Sequence, residues 1–462
     1  MSRFADFLTR NPVKRFVVNH LNTYRRDIAR TYAEQKRLEQ ASEDEVQAYQ
    51  LARLRRLLSV ARGSSYYRRL IDGFAKLPES FTFDDLRQFP FLTKTTLRER
   101  EFELLVPDAR HVYENYSGGS TGVPVRFYQD YSYKVQMSVS TRMCNELAGL
   151  FTGARVAKLW GAPQDKRQIE GWKGKTKLWL LNQRYYDTFD MGPERMDYYH
   201  RQMEAFQPDL IQAYAGSIYL LAKFLRSRGI EPSYPRVSII TSAEKLFPRM
   251  RDEISHVFPS AVFDRYGSRE VSAMASECKQ HDGMHIQMPG YIVETINAVT
   301  GRTVEGEPGE IAVTALANQA MPFLRYRIGD LGILTRKKCA CGRVFWRLRE
   351  IVGRMSDNFL MPDGRVVHGE YFTHLFYGRD GIEQFQFEQT SRESFTLRIV
   401  PSVGYSAELG ERLSQEIRKM IGDSPRLAIE IHQQIPKTAS GKYRFTLSRL
   451  GPEELIGVRS TR

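Results

Sequence analysis

Apolar residues recur at helical spacing through the first part of the chain. Residues 11–62 read as helix, with Ser42 and Glu45 as a capping box and Leu51, Leu54, Leu57 and Leu58 following at helical spacing. Pro78, Pro90 and neighbouring turn residues break the next stretch into loops and short helices. From about residue 111 to 350 the pattern alternates. ARVAKLW (154–160), VSIITS (237–242) and AVFDRYG (261–267) are apolar runs ending in glycine or polar turns, as buried strands do. Helical stretches at 216–228 and 248–257 lie among them. Strands alternating with helices predict an α/β body.

The pattern changes near Gly353. QFQFEQ and SFTLRIV alternate as strands, and residues 406–421 form an amphipathic helix with Leu409, Leu413, Ile417 and Met420 on one face. RLAIEIH then alternates again, placing Leu427, Ile429 and Ile431 on one side. The expected fold is α/β: a large multi-sheet N-terminal body with mixed sheets and helices over 1–352, its first 65 or so residues a helical extension, and a small mobile α+β domain over 353–462.

Composition narrows the class. At 462 residues the chain is long enough for two or three domains, and 42% hydrophobic with 26% charged residues is ordinary for a soluble globular protein. No apolar run approaches the roughly 18 residues of a membrane span. The start, MSRFADFLTRNPVKRF, is charged throughout and has no secretory h-region. Four cysteines are too few for a disulfide framework at this size, so a reduced, cytoplasmic protein is expected. The net charge of +14 suits an anionic partner. Its densest cluster, Lys14, Arg15, Arg25, Arg26 and Arg30, reads as a solvated helix face that leaves room for peripheral membrane contact. A nucleic-acid-binding reading finds no basic tract interleaved with aromatics and no binding module.

Two P-loop decoys fail. GKT at Gly174–Thr176 has Ile169 where the required glycine should stand, and Gly441-Lys442 has Pro436 there and Tyr443 in place of Ser or Thr. Six other motifs carry chemistry, in chain order. Ser117, Gly118, Gly119, Ser120, Thr121 and Gly122 form a run with no side chain large enough to hide the backbone amides, suited to wrapping a phosphate. Ser242-Ala243-Glu244 and Tyr266-Gly267-Ser268-Arg269-Glu270 each follow a predicted strand. Tyr326-Arg327-Ile328-Gly329-Asp330, Gly353-Arg354 and IPKTASGKYR (435–444) complete the order.

In these motifs the chain resembles the adenylate-forming superfamily, which includes acyl-CoA synthetases. It looks most like the phenylacetate–CoA ligase branch and its capsule-biosynthesis relatives, over about residues 85–450. The lysine that many members carry after the phosphate-loop proline is replaced by Val125. The resemblance implies ATP-dependent conversion of a carboxylic acid to an acyl-adenylate, then transfer to CoA. An amine, a sugar or AMP transfer to a coenzyme remains open as the second step. By resemblance Ser117, Ser120 and Thr121 hold the β- and γ-phosphates, and Glu270 holds Mg²⁺. Tyr266 and Ser242-Ala243-Glu244 flank the adenine, Asp330 accepts from the ribose hydroxyls, and Arg354 reaches the nucleotide. Lys442 contacts the α-phosphate and the carboxylate during adenylation. The C-terminal domain is expected to swing afterwards about a hinge at Ser356 or Asp357. The acyl pocket is expected around Trp160, Tyr214, Ala215, Gly216 and Ser217, whose aromatic and small side chains are compatible with an aryl acid.

Cys278, His285, Cys339 and Cys341 form a second constellation. Three thiolates and an imidazole suit a closed, structural Zn²⁺ site, and EC…DGMH with CACGR matches a pattern in the phenylacetate-ligase branch; His281 competes as a ligand. The expected partners are therefore ATP, a carboxylic acid, and CoA or another acceptor, with a homodimer left open and no nucleic acid.

Overall fold

A computed structural model describes residues 25–117, 125–151, 153–161, 171–188, 191–297, 300–354, 358–363, 366–368, 372, 375–376, 379–436 and 444–450. The chain divides into two compact units. The first comprises 1–294, 312–328 and 334–350, and the second 295–311, 329–333 and 351–462. The second unit thus resumes at Ile351, two residues before the glycine where the sequence pattern changes. It also takes in two earlier segments, one of which carries Asp330.

The described part of the first unit opens with helices α1 (Arg25–Leu38) and α2 (Glu43–Ala61). Residues 39–42 interrupt the helix expected over 11–62. Ser42 ends that break: its hydroxyl accepts from Glu45 N, and the Glu45 carboxylate accepts from Ser42 N, the reciprocal capping box read from the sequence. Leu54, Leu57 and Leu58 are buried, while Leu51 is half-buried. Short helices follow at 65–72, 83–88, 94–99 and 101–104.

Strands β1 (Tyr113–Tyr116) and β2 (Arg126–Gln129) form an antiparallel hairpin. After it come α3 (Tyr131–Leu147), β3 (Val156–Trp160), α4 (Trp172–Leu180), β4 (Gln183–Asp187), α5 (Pro193–Phe206), β5 (Leu210–Tyr214), α6 (Ala215–Ser227), β6 (Ser238–Ser242), α7 (Pro248–Val257) and β7 (Ala261–Ser268). These strands lie in the order β7-β6-β5-β3-β4, all parallel. Helical crossovers are what parallel neighbours require. β5 and β6 are buried at every position, as central strands covered on both faces must be. Pro193 and Pro248 start their helices at a position where no intrahelical N–H is needed. Beyond β7 the sheet continues with the antiparallel strands β8 (Ser272–Glu277) and β9 (Met284–Ile286).

Four more strands follow in the chain: β10 (Tyr291–Ile296), β11 (Thr303–Val304), β12 (Gly309–Ala315) and β13 (Phe323–Thr335). Within the first unit Arg325 is buried and forks onto Glu294, both contacts at 3.0 Å, while also donating to the Phe89 carbonyl at 2.9 Å. Its planar head ties the 87–91 segment to the strand. β14 (Arg347–Arg354) pairs antiparallel with β9, Arg347 opposite His285.

The second unit holds the small hairpin β15 (Asn358–Leu360) and β16 (Val366–His368). Its main sheet contains β17 (Ile382–Ser391), β18 (Ser394–Pro401), β19 (Arg426–Ile431) and β20 (Thr446–Ser448), in the order β19-β18-β17-β20. β18 and β19 run parallel, joined through α8 (Ala407–Ile421). Phe387, Phe395, Leu397, Ile399, Leu413 and Ile417 form the buried interior. Two residues on these expected faces are less buried than their neighbours. Met420 is half-buried, and Ile421 takes the inward position on α8. Ile431 is exposed, because it ends an edge strand with a neighbour on one side alone. Gln389 acts as a strand surrogate: its amide accepts from Leu360 N (3.0 Å) and donates to Leu360 O (2.7 Å).

Among the described residues no helix is long and apolar enough to cross a membrane.

Candidate functional site

The sequence motifs at 242–244 and 266–270 fall where parallel-sheet geometry concentrates chemistry, at the carboxyl ends of adjacent strands. β6 and β7 are in register with Ser242 opposite Arg265. Ser242 is buried, and its hydroxyl donates to the Arg265 carbonyl at 3.0 Å. Ala243 leaves β6 at φ +70°, a left-handed conformation that costs an alanine about 1 kcal/mol. That turn directs Glu244 to the start of α6. There its carboxylate accepts from Gly216 N at 2.8 Å, where a helix N-terminus favours negative charge. The start of α6 and the 242–244 motif are thus joined by one charged hydrogen bond.

Trp160 ends β3 and Tyr214 ends β5, and their ring centroids are 4.4 Å apart. Tyr214, Ala215 and Ser217 are buried, and Trp160 is half-buried. Gly216 has no room for a larger residue, since an added methyl would stand 3.0 Å from the Glu244 carboxylate.

The turn after β7 is built tightly. Tyr266 is half-buried, and β7 and β8 shift register between Tyr266 and Gly267. A methyl on Gly267 would lie 2.0 Å from the Ser272 carbonyl oxygen and 3.0 Å from Ala273 Cα, both backbone atoms. Gly267→Ala is therefore expected to push β7 and β8 apart, destabilising the chain by roughly 1–3 kcal/mol. A thermal unfolding midpoint equal to that of the parent would contradict this. The Ser268 hydroxyl is buried with no hydrogen-bond partner among the described residues. Glu270 is buried, with one carboxylate oxygen accepting from Tyr326 OH at 3.2 Å. The backbone of this turn is held from below by Gln129, whose amide donates to the Arg269 and Glu270 carbonyls (3.2 and 3.3 Å). Neither Gln129 nor the Tyr326–Glu270 bond was foreseen. Tyr326 at least stood inside a motif, whereas Gln129 lies on a four-residue strand that gives no signal.

Behind the turn, Asp264 accepts from the Thr241 hydroxyl at 2.8 Å. Burial, with the negative Glu277 beside it, pushes its carboxyl up to about 7. An unfolded Asp releases its proton near pH 4, whereas this one keeps it to about 7. Between those values the folded state binds more protons, so this group makes stability fall as pH rises. Asp264→Asn is expected to flatten the fall in thermal midpoint between about pH 5 and about pH 8. An unchanged pH profile would remove Asp264 as its source.

Ser117 follows β1, and its loop returns at Val125 before β2. Ser117 N donates to Val125 O at 2.9 Å, and Val125 N donates to Ser117 Oγ at 2.8 Å. Ser117 closes the neck of the loop and keeps its O–H and one lone pair for any further partner. Arg126 forks onto Glu101 at 2.7 and 3.2 Å, fixing the base of the hairpin. Gly118, Gly119, Ser120, Thr121 and Gly122 lie outside the described residues, as do Ser356, Asp357 and Lys442. Asp330 is buried on the part of β13 assigned to the second unit. Arg354 is the last residue of β14, and its side chain is not among those described.

Cys278, His285, Cys339 and Cys341 come together in the first unit, with ligand atoms all within 4.8 Å of one another. β8 delivers Cys278, β9 delivers His285, and a turn through Gly342 (φ +82°) presents the other two. Cys278 and Cys339 Sγ are 3.8 Å apart, and Cys341 Sγ is 3.2 Å from His285 Nε2. A tetrahedral zinc with Zn–S of about 2.3 Å and Zn–N of about 2.05 Å needs S···S of about 3.8 Å and S···N of about 3.6 Å. The donor set and spacing therefore fit zinc. His285 Nδ1 lies 3.2 Å from the Phe345 carbonyl, which leaves Nε2 facing the thiols. Burial lowers the imidazole to about 4, so it is neutral, the ligating form. Burial raises Cys278 to about 12. Cys341 is below the ordinary range, because burial is outweighed by the backbone and side chain of Arg343 and by the neighbouring thiols. His281 is not part of the cluster; its ring nitrogen is 3.1 Å from Glu277.

Comparison with known proteins fits this geometry. The solved 2-hydroxyisobutyryl-CoA ligase in its postadenylation state superposes with a TM-score of 0.70 and 20% identity, covering 89% of this chain and 91% of that one, so the chain has the fold of this acyl-CoA ligase. Protein CapK of Staphylococcus aureus is 24% identical over 405 residues, which is 85% of this chain and 86% of that protein. Phenylacetate-coenzyme A ligase of Thermus thermophilus is 25% identical over 448 residues, covering 89% and 98%. The family model for the CapK C-terminal domain matches residues 359–449. Over most of its length the chain is thus similar to phenylacetate–CoA ligases and to CapK.

Proposed function

We propose that this protein activates a carboxylic acid with ATP as an acyl-adenylate and passes the acyl group to CoA. The observation that carries this reading is the pairing of similarity to a CoA ligase over 89% of this chain with the two polar turns at the ends of β6 and β7. A carboxylate is a poor electrophile, and the protein's task is to align its oxygen with the α-phosphorus and offset charge there. In this reading Tyr266 and Ser242-Ala243-Glu244 flank the adenine, and Ser117, Ser120 and Thr121 take the outer phosphates. Glu270, already oriented by Tyr326, offers the oxygen ligand that Mg²⁺ prefers. Asp330 and Arg354 hold the ribose side, and Lys442 meets the reacting groups. Trp160 and Tyr214 form the aromatic wall that suits an aryl acid. Cys278, His285, Cys339 and Cys341 hold a structural zinc.

A second reading keeps the adenylation and passes the acyl group to an acceptor other than CoA. ATP–pyrophosphate exchange against aryl, fatty and amino acids, with and without CoA, tests both. Exchange with one acid class and AMP release that requires CoA is the expected result. Exchange without CoA-dependent AMP release would select the second reading, and no exchange with any acid would overturn both.

A further inference from the structure

The Gly-Lys-Thr sequence at 174–176 is unused by the proposed chemistry and lies in α4, on the connection leading to β4, which ends the order of its sheet. Gly174 is buried, so the helix closes inward on a residue without a side chain. The outward surface is unusual. Trp172 is 74% exposed and Trp179 is 58% exposed. They are seven residues apart, two helical turns, and so share one face. Lys175, Thr176 and Lys177 are exposed between them. Leu181 beyond the helix end is exposed as well, and Phe151 is exposed in the turn whose Gly153 carbonyl accepts from Asn182.

Charge narrows the occupant. From Gly171 to Tyr186 the chain carries Lys173, Lys175, Lys177 and Arg184 and no acidic residue. The whole chain is at +14. A second copy applied to this face about a two-fold axis would set lysines against lysines. A surface that is anionic and also accepts indole rings satisfies both features. Tryptophan is favoured at the headgroup level of a bilayer, and each lysine near an anionic leaflet adds about 1 kcal/mol.

We propose that the outer face of α4 docks on an anionic lipid bilayer, with Trp172 and Trp179 entering the interface and Lys175, which shares their face, contacting the headgroups. The docking is peripheral and reversible, since one short face with two rings is far from a membrane span. It concerns a different part of the chain from the basic N-terminal cluster.

The test uses the full chain with vesicles of phosphatidylcholine, alone or mixed with phosphatidylglycerol. Co-sedimentation with the mixed vesicles is expected, weakening as salt screens the lysines. Vesicles with brominated acyl chains are expected to quench tryptophan emission. The Trp172→Ala/Trp179→Ala variant should lose the quenching and bind at least about tenfold more weakly, with an unchanged thermal midpoint as the control for folding. Lys175→Glu should weaken the preference for phosphatidylglycerol. Three results would overturn the proposal. One is no binding to the mixed vesicles at low salt. Another is undiminished binding by the double tryptophan variant, which would move the contact elsewhere. The last is a wild-type dimer that the same variant dissociates in light scattering, which would give the face to a second copy.

Discussion

Replacing Lys442 by alanine is expected to lower ATP–pyrophosphate exchange by at least about 10²-fold, the usual effect of deleting one group that offsets charge in the transition state. Fold, thermal midpoint and metal content should be unchanged. The expectation rests on the PKTASGK sequence and on how its flanks are held. Ile435 is buried, and its N–H donates to the Gln384 side chain at 3.3 Å. On the other side Phe387 N donates to Phe445 O at 2.8 Å, and β20 then pairs with β17. Both ends of the Lys442 segment are therefore fastened to one strand, three residues apart. A long, flexible cation between these two anchored flanks suits a transient contact with developing charge. Lys442→Arg keeps the charge but changes its shape, so partial activity there with none in Lys442→Ala would separate charge from geometry. Full exchange by Lys442→Ala would take this residue out of the reaction.

Cys339→Ser is expected to reduce bound zinc from about one per chain to nearly none, and to lower stability. At free metal of 1,000 times the dissociation constant, binding to the folded state alone contributes about 4 kcal/mol, all of which the variant would lose. Cys144→Ser is the internal control. That thiol is buried on α3, away from the four clustered ligands, and burial raises it to about 12. Its replacement should leave zinc content at the wild-type value. A wild-type protein that carries no zinc by elemental analysis, or a Cys339→Ser variant that keeps it, would refute the metal site. The adenylation chemistry would stand unaffected, because no cluster residue belongs to the proposed nucleotide site.

Much of the site was legible because its chemistry sits where the pattern itself breaks. The apolar run 237–242 became β6, and the polar turn at its end became the 242–244 motif. The helix expected over 216–228 is α6 at 215–227. The Cys/His set was read from its residue types together with its likeness to a pattern of the phenylacetate-ligase branch, with His281 left as a competitor, although 56 residues separate His285 from Cys341. What stayed hidden is interaction across long separations between residues with no pattern of their own. Glu244 looked like a site carboxylate, yet in the fold it also serves the N-terminus of α6. Ser117 looked like a free hydroxyl, yet its oxygen already accepts from Val125. Ile431 followed the alternation faithfully but lies at the end of an edge strand, where alternation does not ensure burial. Local period reports which face a residue takes, and topology decides whether anything covers that face.

The pairing of β9 with β14 has a consequence for the making of the protein. At about 5–20 residues per second, the ribosome spends roughly 3–11 s between His285 and Cys341. Throughout that interval the nascent chain holds Cys278 and His285 without the two remaining thiols. β9 also waits for Arg347 and Leu348 to cover its free edge. An uncovered strand edge is a template for wrong partners. The distance between two residues thus sets an interval in which the growing chain carries an incomplete ligand set and an uncovered strand edge.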